Sequence, residues 1–299
     1  MRVGPIWRRV MDRMEGRLET ADHLNTRQFL IAVRKLADAL GYGTDRSPFL
    51  GSGIEYAQSR QYQPGDPVRS IDWRVTARTG KVFVKEYEAP KQLPCFLLLD
   101  TSASMTVSST RKSKYAVAVH VAGGLAFACL DRVSPVGVLG VGGRDLRVDP
   151  TMSKSRILQW LHEFRHFRYD EPTTLSRRVS ELAPTLPNRC LVVVLSDLQE
   201  PGAVAALKLM AQRHDVVVLQ FRDPAEGGLG SVGFIQAGEA ETGRVFVTRG
   251  VKPWVDPEPV ARELKRAGVD HLLIRTDRPF VADLRQFLRS RNVLGRGRG

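Results

Sequence analysis

Short apolar segments alternate with helical segments from Pro94 onward. Three of these segments are predicted to be buried strands, because each is short, largely apolar and bounded by turn residues: 95–99, 191–195 and 216–221. The stretches between them have helical periodicity. Apolar strands that alternate with helices are typical of a mostly parallel sheet covered on both faces, so the sequence predicts an α/β fold.

The same pattern indicates how the sheet is completed. Two segments joined by Gly142-Gly143, at 136–141 and 145–148, predict an antiparallel hairpin at one sheet edge. Further strands are expected at 245–248 and 271–274. Helices are expected at 112–130, 153–164, 175–182, 202–213, 257–267 and 279–290.

The first 94 residues have a different pattern. Apolar residues at helical spacing predict two helices at 6–18 and 26–40, the first with arginines on its polar face. Strand and turn signals at 55–62, 70–78 and 81–88 predict a small β-hairpin region. The predicted parts are a helical segment, the hairpin region, the α/β domain and a basic flexible tail, at 1–46, 47–94, 95–290 and 291–299.

The composition is that of a globular protein. The chain of 299 residues has 42% hydrophobic and 26% charged residues, which excludes a disordered or fibrous chain. Its formal net charge is +13, but the excess of Lys and Arg is spread along the chain, and only residues 285–298 contain an arginine run without an acid. Because nucleic-acid sites need clustered basic residues, we do not expect a nucleic-acid partner.

The cysteines and apolar segments bear on the compartment. Cys95, Cys129 and Cys190 lack the paired spacing of a zinc site or a disulfide framework. The most apolar helical segment is about sixteen residues long and is too short to cross a bilayer. The N-terminus lacks the apolar run of a secretory signal. We therefore expect a cytoplasmic protein.

One short loop carries the chemistry. The sequence Asp100-Thr101-Ser102-Ala103-Ser104 follows a predicted buried strand and presents one carboxylate and two hydroxyls at alternate positions. Such oxygen ligands suit Mg²⁺, whereas the lack of nitrogen and sulfur ligands disfavours zinc. The same residues could instead simply cap the next helix.

Two later segments make the pattern more specific. Pro172-Thr173-Thr174 precedes a predicted helix, and Ser196-Asp197 ends a predicted strand. Together with the Asp-x-Ser-x-Ser loop, they resemble the metal-ion-dependent adhesion site of von Willebrand factor A domains. The resemblance implies a Rossmann-like domain in which Mg²⁺, or alternatively Mn²⁺ or Ca²⁺, is bound by Asp100, Ser102, Ser104, Thr173 and Asp197. A proline precedes Thr173 where a glycine pair is common, so Thr174 is an alternative ligand.

An upstream signature narrows the family. It consists of SGIEY at 52–56, RQYQPGD at 60–66, RSIDW at 69–73, ARTG at 77–80 and VKEYE at 84–88. These segments closely resemble the bacterial domain-of-unknown-function fifty-eight family. Members of that family are typically encoded beside MoxR-type AAA+ ATPases, which implies such an ATPase as the partner.

The expected function is that of a non-enzymatic adaptor. A client protein would offer an Asp or Glu to the bound Mg²⁺, which combines charge with geometry in one contact. One rival is a Mg²⁺-dependent hydrolase that uses Asp100 and Asp197 around an activated water. The other is a basic binder of nucleic acid or membrane surfaces. Peripheral membrane contact would use the amphipathic segment 6–18, although a helix docked on the sheet has the same periodicity.

Overall fold

The structure is a computed structural model that describes residues 15–17, 26–41, 56–87, 94–186, 188–227, 234–238, 245–249 and 257–293. Its helices are α1 (Thr26–Gly41), α2 (Trp73–Thr79), α3 (Ala103–Thr106), α4 (Lys114–Asp131), α5 (Lys154–Phe164), α6 (Leu175–Leu182), α7 (Ala203–Met210), α8 (Pro257–Arg266) and α9 (Val281–Val293). Its strands are β1 (Glu15–Arg17), β2 (Tyr56–Gln61), β3 (Phe83–Tyr87), β4 (Cys95–Leu99), β5 (Val136–Gly140), β6 (Arg147–Thr151), β7 (His166–Arg168), β8 (Leu191–Ser196), β9 (Asp215–Arg222), β10 (Phe234–Gly238), β11 (Val245–Arg249) and β12 (Asp270–Arg275).

A six-stranded sheet organises the chain, in the order β12-β9-β8-β4-β5-β6. Five strands are parallel, and β6 pairs antiparallel with β5 at one edge. This confirms the predicted α/β class, the mostly parallel sheet and the edge hairpin. The chain leaves β4 toward β5 on one side and returns to β8 on the other, so strand order reverses at β4.

Both faces of the sheet are covered, which explains the continuous apolar strands. Every residue of β4 is buried. Alternate residues point to opposite sides: Leu97 and Leu99 belong to one apolar cluster with residues of α1, α4, α5 and α9. Phe96 and Leu98 belong to the other, with residues of α6, α7 and α8. A strand that faces helices on both sides cannot carry polar side chains without a desolvation cost.

Helix α4 lies at the centre of the larger cluster. A Cβ built on Gly124 would lie 2.6 Å from Leu36 of α1, and one on Gly123 would lie 2.9 Å from Val33. These glycines therefore permit the close packing of α1 against α4. Among the described residues, α4 alone is long and apolar enough to cross a membrane by composition, but 83% of it is buried inside the protein, and core helices pass the same test.

The structure corrects the prediction of a helix at 6–18. Residues Glu15–Arg17 form a strand that pairs antiparallel with β7, whereas the rest of that segment lies outside the described residues. Strand β7 was itself not predicted. The apolar spacing of the N-terminal segment is helical, but a partner strand about 150 residues later supplies the backbone hydrogen bonds, and local periodicity contains no information about that partner.

The prediction of a strand at 70–78 was also wrong. Strands β2 and β3 pair antiparallel as expected, but helix α2 lies in the connection. The Asp72 carboxylate accepts hydrogen bonds from the backbone N–H groups of Arg74 and Val75, at 3.1 and 3.2 Å. Gly80 ends the helix at φ +70°. The alternation of the side chains suggests a strand. The Asp cap at the N-terminus and the Gly at the C-terminus favour a helix, and they decide the local structure.

The strand predicted at 245–248 exists but lies outside the main sheet. Strand β11 pairs antiparallel with β10, in a two-stranded sheet of their own. The helix at 26–40 and the remaining strands and helices of 95–290 are confirmed to within a few residues. The proposed boundaries between the four parts of the chain stay predictions.

Candidate functional site

The site lies where β4 and β8 end side by side. The two strands are parallel, with Leu99 opposite Leu195, and the Asp100 N–H donates to the Leu195 carbonyl at 2.9 Å. The next residues of both strands are polar, namely Asp100 after β4 and Asp197 after β8. Because strand order reverses at β4, this is the edge at which ligands of open α/β sheets bind.

Asp100 organises its own loop. Its Oδ1 accepts the Ser102 N–H at 3.0 Å, and its Oδ2 accepts the Ser196 hydroxyl at 2.5 Å. The hydroxyls of Ser102 and Ser104 are hydrogen-bonded to each other at 3.1 Å. All four side chains are buried. The loop and the end of β8 therefore bring together the Asp100 carboxylate and the hydroxyls of Ser102, Ser104 and Ser196.

Two carboxylates oppose each other at this point. Burial and, second, the negative charge of Asp197 raise the pKa of Asp100 from 3.8 to about 7, against hydrogen bonds from Ser102 and Ser196 that lower it. A bound cation would favour the ionised form of both carboxyl groups.

The loop that carries Thr173 lies against the Asp100 loop. The Ala103 N–H donates to the Glu171 carbonyl at 2.7 Å. Thr174 caps α6 and uses its hydroxyl to donate to the Gly142 carbonyl at 2.7 Å. Thr173 lies between these two anchors and is half-buried. The structure thus brings Asp100, Ser102, Ser104 and Asp197 to the ends of adjacent strands and places Thr173 on the adjoining loop.

A buried glutamate that sequence reasoning missed holds the two loops together. Glu171 accepts the Thr101 hydroxyl at 2.7 Å and the Arg144 N–H at 3.0 Å through Oε1. Its Oε2 accepts the Arg144 Nε at 2.8 Å. In the sequence, Glu171 stands in a polar stretch typical of an exposed loop, so no local signal marks it.

A buried lysine was missed as well. The Lys114 ammonium, on a side chain that is 1% exposed, donates to the Asp197 Oδ2 at 2.7 Å and also to Glu226. Burial alone would lower the pKa of Lys114, but the charges of Asp197 and Glu226 outweigh it and raise that pKa. Burial also raises the pKa of Glu226. Lys114 begins the long, apolar helix α4, where a solvent-facing lysine is the ordinary expectation.

Gly142 should be intolerant of any side chain. A Cβ built there would lie 2.2 Å from both the Glu171 Oε1 and the Thr101 hydroxyl. We expect Gly142→Ala to break the hydrogen bond between them and to lower the free energy of unfolding by about 2–3 kcal/mol, as steric overpacking does. Urea unfolding of the purified variant measures this loss.

The neighbouring glycine provides the control for this prediction. A Cβ on Gly143 would meet nothing closer than 3.5 Å, so Gly143→Ala should change the free energy of unfolding by less than about 1 kcal/mol. Equal effects at the two positions would contradict a tightly packed contact between the Gly142 loop and Glu171.

Fold and site together define an α/β protein with a buried polar cluster at the carboxyl edge of its sheet. The sequence profile of a family described as "Protein of unknown function DUF58" matches residues 58–253. The chain belongs to this family. The matched region includes most of β2, all of β3 and all the residues of the candidate site.

This chain is similar to other uncharacterised proteins and aligns weakly with solved structures. An uncharacterised protein of Mycobacterium tuberculosis is 28% identical over 278 residues, which covers 87% of each chain. The crystal structure of the conserved hypothetical protein BatB from Bacteroides thetaiotaomicron aligns with a TM-score of 0.43 at 18% identity, over 67% of this chain and 98% of that one. An uncharacterised membrane-spanning protein from Vibrio fischeri aligns with a TM-score of 0.24 at 14% identity, over 65% and 96%.

Proposed function

We propose that this chain is a non-enzymatic adaptor with a von Willebrand factor A-type domain, which binds Mg²⁺ at the polar cluster and uses the metal to bind a partner protein. The observation that carries the proposal is the meeting of Asp100 and Asp197 at two adjacent strand ends, where Ser102 and Ser104 add hydroxyls. Two buried carboxylates without a divalent cation raise the free energy of the fold, as the pKa of about 7 at Asp100 indicates.

The proposed ligands are those that the sequence suggested: Asp100, Ser102, Ser104, Thr173 and Asp197. Thr174, whose hydroxyl donates to the Gly142 carbonyl, is the alternative to Thr173, because a hydroxyl that donates its proton keeps lone pairs for a cation. One oxygen of Asp197 accepts the Lys114 ammonium, so Asp197 is suited to act through a bound water. Ser196, which donates to Asp100, would hold that carboxylate in place.

The donor set favours a hard cation. The described residues contain no group of three or more His, Cys, Asp or Glu side chains that could hold a metal, and the cluster instead combines two carboxylates with hydroxyls. Mg²⁺ takes one or two carboxylates together with neutral oxygens and waters. Mn²⁺ and Ca²⁺ accept the same donors. When bound, the metal would supply a positive centre to which an incoming carboxylate can add.

The partner we propose is a MoxR-type AAA+ ATPase, together with a client protein that offers an Asp or Glu to the metal. The family to which the chain belongs supports the ATPase, and the polar cluster supports a carboxylate as the contact. We place the protein in the cytoplasm, and the three free, buried cysteines support this. Contact with a membrane surface through residues 6–18 stays a prediction, because most of that segment lies outside the described residues.

A Mg²⁺ titration of thermal and urea unfolding tests the metal site. Wild-type protein should gain about 2.7 kcal/mol at a hundredfold excess over the dissociation constant, whereas Asp100→Ala should gain nothing. Asp72→Ala is the matched control, because Asp72 is also a buried aspartate but caps α2 through the N–H groups of Arg74 and Val75 and is not among the proposed ligands. This control should keep the full Mg²⁺ effect. Equal gains in wild type and Asp100→Ala would exclude the site.

A further inference from the structure

Lys114 occupies an unusual position next to the proposed metal site. Its side chain is 1% exposed, and its ammonium contacts two carboxylates, Asp197 and Glu226. Lysines are almost never fully buried unless they are paired, and a buried ion pair usually contributes little net stability. Stability alone therefore does not explain why Lys114 is buried between Asp197 and Glu226.

The charged groups around the proposed metal site are three carboxylates and the Lys114 ammonium. Lys114 bridges Asp197 and Glu226, and Asp100 lies beside Asp197 at the end of the adjacent strand. When ionised, these three carboxylates and one ammonium leave two negative charges, which one divalent cation balances. Glu171 does not disturb this balance, because Arg144 pairs with it. Without Lys114, the same cation would leave one negative charge uncompensated.

We propose that Lys114 is a built-in counter-ion that sets the affinity of the cluster for its divalent cation. This inference rests on the proposed function. While the metal is absent, the ammonium compensates Asp197 and Glu226 and so stabilises the empty site. When the metal binds, the same charge repels it and keeps Glu226 from joining its ligands. Lys114 is thus a positioning residue that makes metal binding reversible and leaves the loaded cluster neutral.

A neutral loaded cluster matters for the partner. An incoming carboxylate meets no excess negative charge, so the open position of the metal remains attractive to an Asp or Glu side chain. Removing Lys114 would produce a tighter but negatively charged metal site. By thermodynamic linkage, a partner that adds a carboxylate would in turn strengthen metal binding to the wild-type protein.

A double-mutant cycle that removes the charges of Lys114 and Glu226 tests the role of Lys114. Binding of Mg²⁺ alone is measured by isothermal titration calorimetry on full-length wild type, Lys114→Met, Glu226→Gln and the double variant. Lys114→Met should tighten Mg²⁺ binding on the order of tenfold, and Glu226→Gln should weaken it on the order of tenfold, because a unit charge a few ångströms from the ion is lost in each. The double variant carries the wild-type charge and should bind within about threefold of wild type.

Stability readings distinguish this role from a purely structural one. Metal-free Lys114→Met should unfold at a lower temperature than wild type and recover with Mg²⁺, since an ion pair has lost its cation. If Lys114→Met does not fold, the comparison of Glu226→Gln with the double variant replaces it: the two differ only at residue 114, so the double variant should bind Mg²⁺ on the order of tenfold more tightly.

The calorimetric results distinguish failure of the counter-ion role from failure of the proposed function. Mg²⁺ binding to wild type with the same affinity in every variant, or weaker binding in Lys114→Met, overturns the counter-ion role and leaves the proposed function standing. A double variant that differs from wild type as much as Glu226→Gln does also overturns it. Absence of Mg²⁺ binding to wild type overturns the proposed function and the role of Lys114 together.

Discussion

Asp100→Ala is expected to abolish binding to the MoxR-type ATPase that we propose as the partner. Asp100 is the buried carboxylate around which Ser102 and Ser196 are arranged, so its loss removes the metal and with it the contact to a partner carboxylate. Truncating one member of a buried charged contact typically weakens binding by about 2–5 kcal/mol, enough to lose a micromolar complex in a pull-down. Biolayer interferometry with the purified ATPase measures the loss.

Three further arms make this experiment decisive. Ser102→Ala and EDTA should have the same effect, although EDTA also removes metal from nucleotide on the ATPase, so the variants carry the argument. Arg296→Ala with Arg298→Ala should leave binding unchanged, because these residues belong to the predicted flexible tail. A complex that survives both Asp100→Ala and EDTA would show that the metal is not the contact.

In that case the segment 70–88 becomes the better candidate for the contact surface. Trp73 is 67% exposed, and the side chains of Arg74 and Arg78 beside it are also exposed. Asp66 is paired with Arg60, at 2.7 Å, and Asp72 is buried as the cap of α2. The described part of this surface is therefore aromatic and basic, and an acidic partner would suit it.

Asp100→Asn is expected to stabilise the metal-free protein at high pH. In the folded protein the pKa of Asp100 is about 7, well above 3.8. Between about pH 4 and 7 the folded state therefore holds a proton that the unfolded state has released, so the free energy of unfolding falls as pH rises through this window and levels off above it. Asparagine removes this loss, and the variant should be more stable at pH 8 by on the order of 2–4 kcal/mol.

Urea unfolding in EDTA at pH 5, 6, 7 and 8 measures how the free energy of unfolding changes with pH in wild type and in Asp100→Asn. The difference between wild type and Asp100→Asn reports on Asp100 together with Asp197, whose charge acts on it, since the more distant titrating groups are common to both proteins. With saturating Mg²⁺ the order should reverse, because only the wild-type carboxylate gains from the cation. Parallel slopes in the two proteins would show that Asp100 is not a strained carboxyl group, and an unreversed order would argue against the metal.

The sequence by itself determined the framework of this protein. Strands buried on both faces are largely apolar, so β4, β8 and β9 could be located from apolar runs bounded by turn residues. Because parallel strands end at the same edge, the polar residues that follow them lie at that edge, and the resemblance to the adhesion site suggested Asp100 and Asp197 as neighbours. The upstream signature at 52–88 identified the family.

Only the tertiary structure decided which groups surround these residues. The strand at Glu15–Arg17 depends on a partner at His166–Arg168. Lys114, Glu171 and Glu226 are ordinary charged residues in the sequence and become part of the site because distant segments bury them beside opposite charges or hydrogen-bond donors. Burial and pairing of charge are properties of long-range packing. Local periodicity and spacing cannot encode them, whereas they do encode which backbone segments form the sheet.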